Sequence, residues 1–235
     1  IGGTNARFAL AYNGQSGYQH ETTLRCNDYP GIDQAINHYL QQSGLTNPDA
    51  ICLAIAGPIT NQQAQMTNNP WFISAQDLSR QFQDIPVKLI NDFTAIALSL
   101  PHLDQDDVLQ IGPIRSNTLK DNDFTIGVIG PGTGLGIAGL IRRDDHTLPL
   151  PSEAGHMGFA PETEQQADIL RALRERWARV SIERLVSGQG LENIYWALNH
   201  AAQKTAPSLT AADIFDKALN HSDVNCSRAV DLFFE

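Results

Sequence analysis

The polar pair Asn91-Asp92 cuts an apolar pattern in two. Leu89-Ile90 leads into it, and an apolar run of roughly helical spacing, Phe93 to Leu100, follows at once. This is the pattern of a strand that delivers polar side chains at its C-terminal end, where open α/β sheets place their ligand sites. An amide beside a carboxylate can orient a hydroxyl and accept its proton. The same residues also read as a helix start, with Asp92 as the N-cap. Two glycine-threonine turns, Gly2-Gly3-Thr4 and Gly132-Thr133-Gly134, offer backbone N–H groups and a hydroxyl with no Cβ in the way, which is what a phosphate oxygen needs. Ordinary glycine-rich hairpins have the same composition. Glu153 and His156 fall in a loop with Gly155 and Gly158. A carboxylate accepts hydroxyl hydrogens and a histidine donates or accepts, so the pair suits a polyol such as a sugar. It also suits a surface loop, and it is too small a ligand set for a metal. Glu183 sits between apolar residues just before Ser187-Gly188, and by pattern alone it reads as a solvated helix residue paired to Arg179 or Arg184.

Competing chemistries find little support. The phosphate-loop pattern G-x-x-x-x-G-K-[ST] is absent. Gly134-x-Gly136-x-x-Gly139 matches the dinucleotide pattern formally, but the residues after it do not read as the helix that a nucleotide-dependent oxidoreductase requires. There is no G-x-S-x-G elbow for a serine hydrolase. Cys26, Cys52 and Cys226 are scattered, with no metal-ligand spacing, and read as reduced thiols of a cytoplasmic protein.

The elements that must position these residues follow from periodicity. Strands are expected at 7–12, from His20 to Cys26, from Ile51 to Ala56, from Ala64 to Thr67 and at 87–91. Ile32, Ala35, Ile36, Tyr39 and Leu40 recur at helical spacing and are closed off by Gly44 and Pro48. Asn68-Asn69-Pro70-Trp71 reads as a polar loop with an aromatic anchor, and Ser74-x-x-Asp77 as a helix start. Residues 101–123 are polar and turn-rich, the expected crossing between domains, giving 1–103 and 104–235. Phe124–Ile129 and Ile137–Ile141 read as strands joined by the glycine cluster, and Leu150 to Gly158 as an irregular loop. Three helical stripes follow: Ala167, Leu170, Leu173 and Trp177; Leu191, Ile194, Tyr195 and Leu198; and Ala212, Phe215 and Leu219. Alternating strands and helices predict an α/β layer structure.

With 235 residues, 42% hydrophobic, the chain can bury a real core. A net charge of −10 argues against a nucleic-acid backbone or an anionic membrane as partner. It leaves room for an anionic nucleotide held by local backbone amides. No apolar run approaches a membrane span of about 20 residues. The chain opens in a glycine turn without Met and ends inside an apolar helical pattern, so a segment of a longer protein is expected.

Five motifs occur together: Gly-Gly-Thr-Asn-x-Arg at 2–7, Ile-Asn-Asp-Phe-Thr-Ala at 90–95, Gly-x-Gly-Thr-Gly-Leu-Gly at 130–136, Glu-x-Gly-His at 153–156 and Ser-x-Glu-Arg-x-x-Ser-Gly at 181–188. As a set they make the chain resemble bacterial glucokinases, and they span nearly all of it. The related ROK sugar kinases carry a zinc-binding cysteine cluster that is absent here, so the resemblance is to the non-ROK branch. It implies an α/β, actin-like (ribonuclease H-like) sugar kinase fold of two domains around a cleft. It implies ATP-dependent phosphorylation of glucose at its 6-hydroxyl, with Asp92 as general base and with Asn91, Glu153, His156 and Glu183 holding the other hydroxyls. Gly2, Gly3 and Thr4 would form the first phosphate turn, Gly132, Thr133 and Gly134 the second, and Mg2+ would come with ATP. A homodimer is also in keeping with the resemblance. The family has an aspartate two residues before the first Gly-Gly and a C-terminal adenosine-holding segment, neither of which is in this sequence. The alternative expectation is therefore a non-catalytic sugar-binding fragment.

Overall fold

The computed structural model describes residues 1–15, 17–45, 47–66, 69–113, 122–144, 146–205 and 207–235. The chain forms two compact units, Ile1–Lys120 and Asp121–Glu235. The sequence reading put the change at 103/104; residues 114–121 of its polar crossing lie outside the described residues, as do Thr67 and Asn68.

In the first unit, β1 (Asn5–Leu10) and β2 (Gln19–Arg25) form an antiparallel hairpin. The first strand begins two residues earlier than periodicity suggested, because Asn5 already pairs with Arg25 directly after the glycine turn. Helix α1 (Ile32–Gln42) buries the five residues expected: Ile32, Ala35, Ile36, Tyr39 and Leu40. It ends in a Schellman arrangement. The Leu45 N–H donates to Leu40 O at 3.0 Å and the Gly44 N–H to Gln41 O at 3.2 Å, with Gly44 at φ 73°, where a Cβ would be strained. Strand β3 (Ile51–Ile55) is followed by the short hairpin of β4 (Gln63–Gln65) and β5 (Phe72–Ser74), then α2 (Ala75–Gln81) and β6 (Val87–Asn91).

Strand β5 has no signature in the sequence, being three residues long and ending in the cap of α2: Ser74 Oγ accepts from the Asp77 N–H at 3.3 Å. The anchor before it is as expected. Trp71 is 2% exposed and its indole donates to Tyr29 O at 3.0 Å. Strand β6 runs parallel to β3 in the register Ile51↔Val87 through Ile55↔Asn91, and delivers its last residue to the start of α3 (Asp92–Ser99).

The second unit opens with a three-stranded antiparallel sheet in the order β7-β8-β9: β7 (Phe124–Pro131), β8 (Leu135–Arg143) and β9 (His146–Ser152). The expected loop from Leu150 thus begins as a strand, with Leu150 opposite Gly139. Pro149 and Pro151 disguise it; an edge strand accepts prolines because half of its backbone donors face away from the ladder.

Four helices follow: α4 (Glu164–Arg174), α5 (Gly188–Ala201), α6 (Ala211–Leu219) and α7 (Val224–Phe234). Two of the predicted stripes are rotated. In α4 the buried face is Ile169, Ala172 and Leu173, with Leu170 and Trp177 only flanking it. In α6 it is Ile214 and Ala218, while Ala212 and Leu219 are exposed. In α5 Leu191, Ile194 and Tyr195 are buried as expected. Among the described residues no helix is long and apolar enough to cross a membrane.

The rotated stripes have a measurable consequence. Truncation of the fully buried Leu173 to alanine should cost about 2–5 kcal/mol in urea unfolding, while Leu219→Ala, 77% exposed, should stay within about 0.5 kcal/mol. A second expectation concerns pH. Burial first, and then Asp223, push the Cys226 thiol up to about 11. A raised folded-state value means that the native chain holds this proton longer than the unfolded one. Its stabilising effect is complete below about 9, the unreacted thiol's value, and fades as pH rises to about 11. Thermal unfolding across that window should show a shallower decline for Cys226→Ala than for the parent.

Candidate active site

In the first unit the candidate residues gather at the carboxyl ends of β3 and β6. The Ile1 nitrogen donates to Ala54 O at 2.6 Å and the Ala56 N–H to Ile1 O at 2.9 Å, so the chain start lies alongside the end of β3. The Gly2-Gly3-Thr4 turn comes next. Its carbonyls face inward: the Cys26 thiol reaches Gly2 O at 3.6 Å, the Asn69 amide reaches Gly3 O at 3.4 Å, and the Cys26 N–H reaches Thr4 O at 2.9 Å. Gly2 N–H is spent on Asn5 O at 3.0 Å. The N–H groups of Gly3 and Thr4 have no partner among the described residues.

Asn91 closes β6 opposite Ile55. The cap of α3 is Asn91, not Asp92: its Oδ1 accepts from the N–H groups of Phe93 at 2.9 Å and Thr94 at 3.2 Å, and its amide reaches Gly57 O at 3.4 Å. Asp92 is thereby the first helical residue. Its Oδ1 accepts from the Phe93 N–H at 2.9 Å, and its other oxygen accepts no hydrogen bond among the described residues. Two residues on, Thr94 carries a buried hydroxyl with no hydrogen-bond partner among the described residues, a feature the sequence did not flag.

In the second unit the hairpin joining β7 and β8 carries Gly132-Thr133-Gly134. The Gly132 N–H closes on Gly134 O at 2.8 Å, and Gly132 O accepts from the Gly188 N–H, at the start of α5, at 2.8 Å. The N–H groups of Thr133 and Gly134 have no partner among the described residues. Glu153 and His156 belong to a tight turn after β9, and Glu183 to another at Ile182–Arg184.

Backbone hydrogen bonds zip the two segments together, Ile182 N–H to Met157 O at 2.8 Å and Phe159 N–H to Val180 O at 3.0 Å, and Arg179 Nη2 donates to His156 O at 2.7 Å. His156 consequently stands between two carboxylates, Nε2 3.8 Å from Glu153 Oε2 and Nδ1 3.7 Å from Glu183 Oε1. These gaps exceed a direct hydrogen bond, and a hydroxyl oxygen can sit about 2.8 Å from both members of such a pair. Glu153 and His156 are open, with side chains 64% and 60% exposed, whereas Glu183 is 31% exposed and its Oε2 accepts from the Leu135 N–H at 2.9 Å.

The predicted residues therefore fall into two groups, Gly2–Thr4 with Asn91 and Asp92 in one unit, and Gly132–Gly134 with Glu153, His156 and Glu183 in the other. Glu183 is no solvated helix residue: it joins its own turn to the hairpin.

A sequence model of the family described as Glucokinase matches residues 1–235. The chain belongs to the glucokinase family. It is 40% identical over 235 residues to a glucokinase of Caulobacter sp. (strain K31), covering 99% of this chain and 70% of the relative. It is 42% identical over 223 residues to that of Caulobacter vibrioides (strain NA1000 / CB15N), covering 93% and 66%. Among solved structures it is similar to the glucokinase from an Antarctic psychrotroph, with 34% identity and a TM-score of 0.85, covering 99% of this chain and 73% of that one. The chain thus spans about two thirds of the length of such relatives. Its mixed α/β architecture is that of the actin-like sugar kinases.

Two glycines of this glucokinase-family chain serve close approach rather than unusual backbone angles, which the sequence could not distinguish. A Cβ on Gly134 would lie 2.4 Å from Glu183 Oε2, and one on Gly155 would lie 2.2 Å from Leu135 O. A cavity of about 400 Å3 lies instead along α5, where Arg176 covers the Trp196 ring at 3.5 Å. None of the candidate site residues, Gly132–Gly134, Glu153, His156 and Glu183, lines it. The two glycines should respond differently to alanine. Gly155→Ala must displace backbone and should lower urea stability by about 1–3 kcal/mol. Gly134→Ala need move only a carboxylate and should cost clearly less. Equal losses would show that the Glu183 side chain is as rigidly held as the backbone.

Proposed function

We propose that the protein to which this chain belongs phosphorylates glucose at its 6-hydroxyl with ATP. The shared name and sequence of its relatives support glucose as substrate. The structural observation that carries the reading is the Glu183–Leu135 hydrogen bond. It sets a cluster suited to sugar hydroxyls directly beside a turn with two N–H groups that have no partner among the described residues, which is what the transfer of a phosphoryl group to a sugar requires.

Glu153, His156 and Glu183 bind and orient the hydroxyls that do not react. Asn91 adds an amide, held in place by its capping bonds. The Asp92 oxygen that accepts no hydrogen bond takes the proton of the sugar's 6-hydroxyl while the sugar's 6-oxygen bonds to the γ-phosphorus, and the bond from phosphorus to the β,γ-bridging oxygen breaks. The products are glucose 6-phosphate and ADP, with the proton on Asp92. The turns at Gly2–Thr4 and Gly132–Gly134 direct N–H groups at phosphate oxygens, where charge builds up. Mg2+ bound to the nucleotide supplies charge neutralisation. Among the described residues no cluster of three acidic, histidine or cysteine side chains is placed to hold a metal.

The test is a coupled assay of ATP-dependent glucose phosphorylation. Asp92→Ala should lower turnover by about 10²–10⁴-fold, the range for loss of a general base, while glucose binding measured by calorimetry stays within a few-fold of the parent. Near-normal turnover in that variant would reject Asp92 as the base. Specific binding of a nicotinamide dinucleotide in place of ATP would reject the kinase reading as a whole.

A further inference from the structure

Glu183 is usefully placed between two sites, and its two oxygens are divided between them. Oε2 holds the Leu135 N–H at 2.9 Å, immediately after the Gly132–Gly134 turn. Oε1 faces His156 at 3.7 Å, on the side open to hydroxyls. The backbone around the side chain is fixed. Ser187 Oγ donates to Glu183 O at 2.7 Å and, as the cap of α5, accepts from the Gly190 N–H at 2.9 Å. The next residue, Gly188, donates to Gly132 O at 2.8 Å. The hairpin turn is thus gripped at both ends by one short segment: at Gly132 O by the start of α5, and at Leu135 N–H by Glu183. Only the second grip runs through a flexible side chain that can also touch sugar.

We propose that Glu183 couples the two ligands. A sugar hydroxyl donating to Oε1 draws the carboxylate into one position and one charge distribution. That fixes the Leu135 N–H and, with it, the orientation of the unpaired N–H groups of Thr133 and Gly134. Sugar and nucleotide then bind with positive synergy, and linkage requires the effect to be equal in both directions. Gly134 permits the device, since a Cβ there would lie 2.4 Å from Oε2 and displace it. This inference rests on the assignment of the cluster to sugar and of the turn to phosphate.

Two measurements test it. In amide NMR spectra, glucose added without nucleotide should shift the signals of Leu135, Thr133 and Gly134 together with those of the 154–158 turn. Calorimetry should then show glucose binding at least about fivefold tighter in the presence of the Mg2+ complex of the imido analogue of ATP, the lower end of typical coupling. That factor should fall to near one in Gly134→Ala, which displaces the carboxylate, and in Glu183→Asp, which shortens its reach. Thermal unfolding reports whether each variant is folded, and Glu183→Asp adds no atoms that could disrupt packing. If the 154–158 signals move with glucose but Leu135 does not, or if both variants keep the parent's factor, the coupling is overturned while the sugar assignment stands. If no signal in the second unit responds to glucose, the sugar assignment itself fails and the coupling with it.

Discussion

Leu135 is the residue on which the second unit's site depends. Its N–H is held by Glu183 and its carbonyl lies against Gly155, so the Glu153, His156 and Glu183 cluster and the glycine turn are assembled around one peptide. The constraint is steric before it is chemical. Two segments distant in sequence approach this strand more closely than a side chain would allow, and glycine at 134 and 155 removes the obstacle. The polar groups then have fixed distances, and His156 is left between two carboxylates at spacings that a hydroxyl can fill.

The two glycine turns reach the same electrostatic result by different means. In each, inward carbonyls are occupied by neighbours, and two successive N–H groups are left over. In the first turn the neighbours are Cys26 and Asn69; in the second they are Gly134's own turn partner and the start of a helix. A peptide whose oxygen is hydrogen-bonded presents its N–H as a better-oriented donor, and successive donors make a concave positive surface suited to an anion. This happens in a chain of net charge −10, which shows how little overall charge says about a local site. The role of Cys26 here is mechanical, and burial keeps its thiol protonated by raising it above its usual range.

Much of this was legible in the sequence, and the gaps have identifiable causes. The five buried residues of α1 could be read from spacing because the helix lays one narrow stripe on one core. In α4 two overlapping stripes were available, 169/172/173 and 167/170/173/177, and the packing of neighbouring helices chose the first. In α6 the last apolar residue, Leu219, extends past the core altogether. At Asn91-Asp92 both residues are good caps, so periodicity placed the helix start correctly but not which residue closes it. Glu183 gave no local signal at all, since its partner Leu135 is 48 residues away. Only the resemblance to a family with a glutamate at that motif position set it apart.

The prolines of β9 have an effect beyond disguising the strand. Pro149 and Pro151 lie opposite Leu140 and Ala138, at positions where the backbone of an antiparallel edge strand turns away from its neighbour. Their missing hydrogens therefore fall on the outer rim of the sheet. Along the same rim Leu148 and Leu150 expose apolar side chains, as does Ile129 at the far strand. A sticky surface next to an open ladder would ordinarily invite a second chain to add itself as a further strand. Here such a chain would find acceptors but few donors to pair with along β9, so this edge is blunted against growth by strand addition.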